Sequence, residues 1–205
     1  MTGETTENCE DAAWVTIETP FSSAELRTFL DDIERLYRIN PMLEFEEFQQ
    51  TGDRQYQLKA KNLSNGKPLE TGLEVKYSDD SVTVRYNAGL KSSTSFRVDD
   101  EAGGCAKLVV TDDYSGSSLA ERESRIDEVD KSLMYWGNSL YRYLHQWKRW
   151  SWLPGWQFYM CKIWQPMKPA ARRISYILII ITLAEFVLFL MVFTVFWLEL
   201  DKYIS

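Results

Sequence analysis

Residues Ile174 to Leu198 form a run of 25 with a single charge, Glu185. In hydrocarbon every backbone amide and carbonyl must find its partner inside the protein, so a run this apolar has one stable spanning form, an α-helix. At ~1.5 Å per residue it reaches roughly 37 Å, enough for a ~30 Å hydrocarbon core with some tilt. The chain is therefore expected to be a single-pass membrane protein, with its transmembrane helix at residues 174–198 and a short tail at 199–205.

Charge sets the expected orientation. Lys148, Arg149, Lys162, Lys168, Arg172 and Arg173 precede the span, whereas only Lys202 follows it. The positive-inside rule then leaves the N-terminal domain in the cytoplasm and the tail outside, a tail-anchored arrangement. The N-terminus, MTGETTENCE, is acidic and lacks the basic and apolar regions of a signal peptide. The net charge of -7 is uneven: residues 1–146 carry 16 basic against 27 acidic side chains, and residues 147–173 carry six basic and no acidic ones. An acidic body on a basic collar is repelled by nucleic acid, which is excluded as a partner, while the collar is drawn to anionic lipid heads.

That collar is rich in aromatics. Trp147, Trp150, Trp152, Trp156 and Trp164, with Phe158 and Tyr159, stand among basic residues that end in Arg172 and Arg173. Indole rings favour the headgroup layer, so residues 147–173 read as an interfacial linker in contact with membrane lipids. A second reading packs the same rings against the domain or a partner. Glu185 falls near the bilayer centre, where an ionised carboxylate costs ~2.5 kcal/mol or more. It is expected to be neutral, or paired with a polar or basic group of another membrane-complex subunit.

Ahead of the collar, after a loose segment at 1–12, the hydrophobic period identifies a domain over 13–146. Trp14 to Glu18 alternates like a strand, Ser22 can cap a short helix to Asp32, and a second turn of helix ends at Asn40-Pro41. From Phe45 to Tyr114 the period is two, in six runs broken by Gly52-Asp53, Asn65-Gly66, Asp79-Asp80, Ala88-Gly89 and Gly103-Gly104, as in an antiparallel meander. Its apolar face carries Tyr56, Leu58, Ala60, Leu73, Val75, Tyr77, Val82, Val84, Tyr86, Phe96, Val98, Leu108 and Val110. A helix from Ser118 to Trp147, with Ile126, Val129, Leu133, Trp136, Leu140 and Leu144 on one stripe, is expected to cover that face.

This order of elements, together with the terminal helix sequence Asp130-Lys131-Ser132-Leu133-Met134-Tyr135-Trp136, resembles the START-like, or polyketide cyclase-like (SRPBCC), superfamily over Ala13 to Gln146. The resemblance implies an α+β helix-grip fold: a curved antiparallel sheet gripping a long C-terminal helix, here followed by the membrane helix. It also implies a cavity between sheet and helix for a hydrophobic ligand, a lipid or quinone. The walls would be Tyr56, Leu73, Tyr77, Val84, Tyr86, Phe96, Leu133 and Trp136, and the same residues could equally fill a closed core. The carbon-monoxide-dehydrogenase-associated subgroup that it resembles implies a role beside membrane redox enzymes.

Catalytic and metal motifs are lacking. The one histidine, His145, has no acidic or cysteine neighbour at metal spacing, and Cys9, Cys105 and Cys161 show no CxxC pattern. The acid pairs Asp31-Asp32, Asp79-Asp80, Asp99-Asp100 and Asp112-Asp113 fall at element ends, where turn chemistry and solvation account for them. No cofactor is implied. Three functions remain: a membrane-anchored binder or presenter of a hydrophobic ligand, an accessory subunit of a membrane complex, and a cyclase- or hydrolase-type enzyme.

Overall fold

A computed structural model describes residues 12–100, 104–116 and 126–204, with the backbone alone at 126–131 and 201–204. Of the loose segment expected at 1–12, residues 1–11 lie outside the described residues and Ala12 already belongs to the first strand; the turn at Ala102-Gly103 and the start of the long helix at Ser118 to Arg125 also lie outside them.

Strand β1 (Ala12–Glu18) is followed by helices α1 (Ser23–Leu30) and α2 (Ile33–Ile39), then by the meander β2 (Leu43–Gly52), β3 (Gln55–Asn62), β4 (Pro68–Tyr77), β5 (Ser81–Tyr86), β6 (Ser93–Asp100) and β7 (Ala106–Asp113). The seven strands form one antiparallel sheet in the order β1-β7-β6-β5-β4-β3-β2. Tight turns fix each hairpin locally. Pairing of the first strand with the last is what brings β1 into the sheet.

The two short helices start where side chains can satisfy their free amides. Ser22 and Glu25 form a reciprocal capping box on α1, and Asp32 accepts the Arg35 amide to start α2. Both helices turn Leu26, Phe29, Leu30, Ile33, Leu36 and Ile39 inward, all buried.

Helix α3 (Ile126–Arg149) supplies the rest of the core through Leu133, Trp136, Leu140, Tyr143 and Leu144. Its close approach to β1 depends on Gly137. A Cβ there would stand 3.0 Å from both methyls of Val15. Trp136 is held by its indole N–H, which donates to the Leu36 carbonyl at 3.0 Å, and by edge contact with Phe96 at 5.4 Å between ring centres.

The compact unit does not stop at Gln146, where the sequence places the domain end, but continues to Pro166. After α3 a helical turn at Trp156–Phe158 runs into a π-helical turn at Tyr159–Trp164. This returns Trp156, Tyr159 and Trp164 onto the core and buries Met160. Tyr143 stacks on Trp147 at 5.8 Å and meets Trp164 at 5.4 Å. Aromatic area buried in this way is worth more than the same rings left in water, so the segment folds with the domain.

The second unit, residues Met167–Ser205, contains helix α4 (Pro169–Ile204). Its residues Pro169–Leu200 are long and apolar enough to cross a membrane, with a mean hydropathy of 2.7, and the large apolar side chains from Ile174 to Leu200 are exposed. The expected span at 174–198 lies within it, and the expected tail is helical through Ile204.

Candidate ligand cavity

Inside the sheet's curve, α2, α3, the β3–β4 hairpin and the loop joining β5 to β6 leave a cavity of about 300 Å³. Leu43 and Leu58 come from the inner face of β2 and β3, and Leu69 from β4. Trp136 comes from α3, and Tyr37 and Asn40 from the end of α2. Asn65, Lys67 and Pro68 of the β3–β4 hairpin and Ala88, Gly89 and Leu90 of the β5–β6 loop complete the lining. Gly89, at φ 123°, turns the β5–β6 loop in a conformation that side chains with a Cβ rarely adopt, and so carries Lys91 to the cavity wall.

The cavity wall is mostly apolar but ends on a buried polar chain. The Tyr37 and Tyr86 hydroxyls are 2.6 Å apart, Tyr86 lies 2.8 Å from Thr94 Oγ1, and Thr94 donates to Asp112 Oδ1 at 2.5 Å. The other Asp112 oxygen takes the Lys91 ammonium and, at 3.4 Å, the Tyr114 hydroxyl. Asp112 has no exposed surface at all. A carboxylate so placed is stable only because three donors, one of them a cation, converge on it.

Electrostatics follow from that geometry. Burial pushes the Tyr37 and Tyr86 hydroxyls above the usual phenol range, and Asp112 adds to the effect in both. Tyr114 is raised as well, by burial first and by Asp112 against the opposing pull of Lys91. For Lys91, burial works against the charge, but the Asp112 carboxylate and the Tyr114 and Tyr86 phenols more than offset it, so the ammonium is held above the usual lysine range. At neutral pH the group is one ion pair ringed by three neutral phenols.

Of the eight wall residues expected from the sequence, Tyr86 and Trp136 line this cavity. Leu73, Val84, Phe96 and Leu133 are buried in the closed core instead, Phe96 against Trp136 of α3. Tyr56 packs on Phe48 at 5.4 Å, and Tyr77 is exposed, with its hydroxyl 3.4 Å from the Asp31 carbonyl.

Tyr37, Asn40, Lys91, Thr94 and Tyr114 are not among the candidates that the sequence singles out. Sequence reasoning joins Asp112 to Asp113 as turn chemistry, and the structure corrects this: only Asp113 serves the turn, accepting from Ser115. A signal is present nonetheless. Asp112 continues the inward alternation of Leu108 and Val110, and Thr94 that of Phe96 and Val98. A carboxylate on an inward-facing strand position points to a partnered site.

The five tryptophans assigned to the bilayer interface divide. Trp147, Trp156 and Trp164 are half-buried against the core, whereas Trp150 and Trp152 face outward, Trp152 at 72% exposure, together with Leu153, Phe158 and Ile163. Arg172, Arg173 and Glu185 belong to α4. Among the described residues, no group of three or more His, Cys, Asp or Glu side chains is placed to hold a metal.

No family model matches the sequence, and no curated protein matches it. Solved structures do match. A START superfamily protein from Mycobacterium smegmatis is 15% identical, with a TM-score of 0.52 over 66% of this chain and 98% of that one. A protein from Thermus thermophilus is 16% identical, with a TM-score of 0.50 over 66% of this chain and 94% of that one. The class is therefore defined by fold: a START-like helix-grip domain, followed by a helix long and apolar enough to cross a membrane.

Proposed function

We propose that this chain is a membrane-anchored START-like protein that binds a hydrophobic small molecule of the lipid or quinone class and presents it at the cytoplasmic membrane face. The observation that carries this reading is the cavity of about 300 Å³, whose apolar wall ends on the buried Tyr37–Tyr86–Thr94–Asp112 chain. Ligand sites of this type combine an apolar body with a few converging polar groups. The α4 helix and the basic flank at Lys148, Arg149, Lys162, Arg172 and Arg173 support a domain held at the inner leaflet. The outward-facing Trp150, Trp152 and Phe158 would sit among lipid headgroups.

A second reading, an accessory subunit of a membrane complex, is favoured by Glu185, which an all-apolar helix would not need. Purifying the full chain from native membranes in mild detergent and extracting it for mass spectrometry separates the two. A stoichiometric isoprenoid, acyl or similar apolar molecule is the expected result. A clean protein with co-purifying subunits would leave the accessory role.

A further inference from the structure

Every hydroxyl proton along the chain at the cavity's inner end is already committed. Three contacts run from Tyr37 to Tyr86, from Tyr86 to Thr94 and from Thr94 to Asp112, at 2.6, 2.8 and 2.5 Å. Each needs one proton, and the three hydroxyls hold one each. Asp112, paired with the Lys91 ammonium, only accepts, so Thr94 donates to it. Thr94 can then only accept from Tyr86, and Tyr86 only from Tyr37. Both phenol oxygens on the cavity wall are left with lone pairs and nothing to donate.

Donors come from elsewhere on the wall. Lys91 gives one of its three N–H bonds to Asp112. Asn40 accepts the Met42 amide on Oδ1, at 2.9 Å, which leaves its NH2 as the donor end of the side chain. The cavity thus offers acceptors beside donors, with the direction of the phenol chain fixed by Asp112.

We infer that the ligand's polar head carries a hydroxyl that donates to the Tyr37 or Tyr86 oxygen while accepting from Lys91 or Asn40: an alcohol, phenol or hydroquinone on an apolar body. The inference rests on the proposed binding role and narrows it. A ketone, ester, ether or quinone brings only lone pairs to those phenol oxygens. Accommodating one would require Tyr37 to turn its proton outward, leaving two oxygens facing each other without a proton in a buried place. An ionised acid has the same defect, and the Lys91 charge it would seek is already matched by Asp112.

The test uses the full chain in lipid nanodiscs and a matched pair of probes, octylphenol and its methyl ether, each corrected for uptake by empty nanodiscs. The phenol should bind about tenfold tighter, the worth of roughly one buried hydrogen bond. Thr94→Val keeps the side chain's shape but severs the chain from Asp112. Tyr37 and Tyr86 then hold two protons for one contact, and the preference should shrink to below about threefold. Equal binding by the wild type, preference for the ether, or an unchanged ratio in Thr94→Val would overturn the inference while leaving the binding role standing. If neither probe binds, both fail. Should Thr94→Val not fold, a short-chain quinol and its quinone decide on the wild type, the quinol binding tighter and an equal or reversed order overturning the inference.

Discussion

Two stretches of α3 bury tyrosine and tryptophan in different ways. Around Trp136, the phenols of Tyr37 and Tyr86 and the indole N–H all have partners, and the phenol protons lead to a carboxylate. Two turns on, Tyr143 is buried as deeply against Phe29, Trp147 and Trp164. Yet its hydroxyl, like Trp156 Nε1, makes no hydrogen bond of good geometry among the described residues, although the Arg35 guanidinium bears on it. The Arg35 guanidinium lies over the Phe29 and Trp147 rings there, 4.6 and 5.5 Å from their centres. One region commits its polar atoms to a directed network beside a hollow. The other uses aromatic bulk to hold the segment 156–164 on the domain. Buried aromatics alone do not mark a site; a buried carboxylate that orders them does.

Deleting that carboxylate should have the largest effect. Asp112→Ala leaves the Lys91 charge without its partner and Thr94 without its acceptor, and should cost about 3–5 kcal/mol. Asp113→Ala, which loses only the Ser115 turn, should cost about 1 kcal/mol or less. Thermal unfolding of the full chain in detergent distinguishes them, and equal losses would dissolve the contrast between the neighbouring acids.

Within the aromatic segment, Trp156→Ala should cost about 2–3 kcal/mol, somewhat below the range for a fully buried ring. Trp152→Ala should leave stability within about 0.5 kcal/mol. Similar losses at the two positions, read by the same thermal unfolding, would mean that the segment's inner and outer faces have been assigned wrongly.

The sharpest contrast is the same substitution at two tyrosines. Tyr86→Phe breaks two hydrogen bonds and should cost about 1–2 kcal/mol, whereas Tyr143→Phe removes a hydroxyl with only a poorly aligned contact to Arg35 and should cost less than about 0.5 kcal/mol. Urea unfolding at neutral pH reads both. Matching losses would show that the two regions are alike after all.

Alkaline pH gives the smallest effect. Lys91, Tyr37, Tyr86, Tyr114 and Tyr143 all keep their protons in the folded chain above the pH at which the unfolded chain releases them, about 10. The folded state then binds more protons, so stability should be level up to about pH 9 and fall above about pH 10. Tyr86→Phe and Tyr143→Phe should each make that fall shallower, but only Tyr86→Phe should also lower stability at neutral pH. A stability that rises through the alkaline range would contradict these protonation states.

Much of the fold is legible in the chain itself because it is written locally. Period-two runs between Phe45 and Tyr114 place the six meander strands, Ser22 and Asn40-Pro41 bracket the paired short helices, and residues 174–198 fall inside one long apolar helix. The candidate site is far less legible. Tyr37, Thr94, Asp112 and Lys91 come from α2, β6, β7 and a loop, and they meet only because β7 pairs with β6 in one particular register, Thr94 opposite Asp112. The end of the domain escapes the sequence for a related reason. Trp156 and Trp164 have the composition of a membrane-surface segment, and nothing short of contacts such as that between Trp164 and Tyr143 distinguishes a ring facing the core from one facing lipid.

Everything proposed for this chain depends on the space between Leu58, Leu69, Tyr37 and Trp136 being a hollow for a ligand and not a packed core. Leu58→Trp, followed by both melting temperature and extracted apolar ligand, decides between the two. Leu58 is fully buried and lines the cavity, so a larger ring has room only if the hollow exists. A melting temperature within about 4 °C of the wild type is expected, a cost of roughly 1 kcal/mol, with the bound molecule lost. A fall of more than about 10 °C, with no ligand in either protein, would mean that the core is closed.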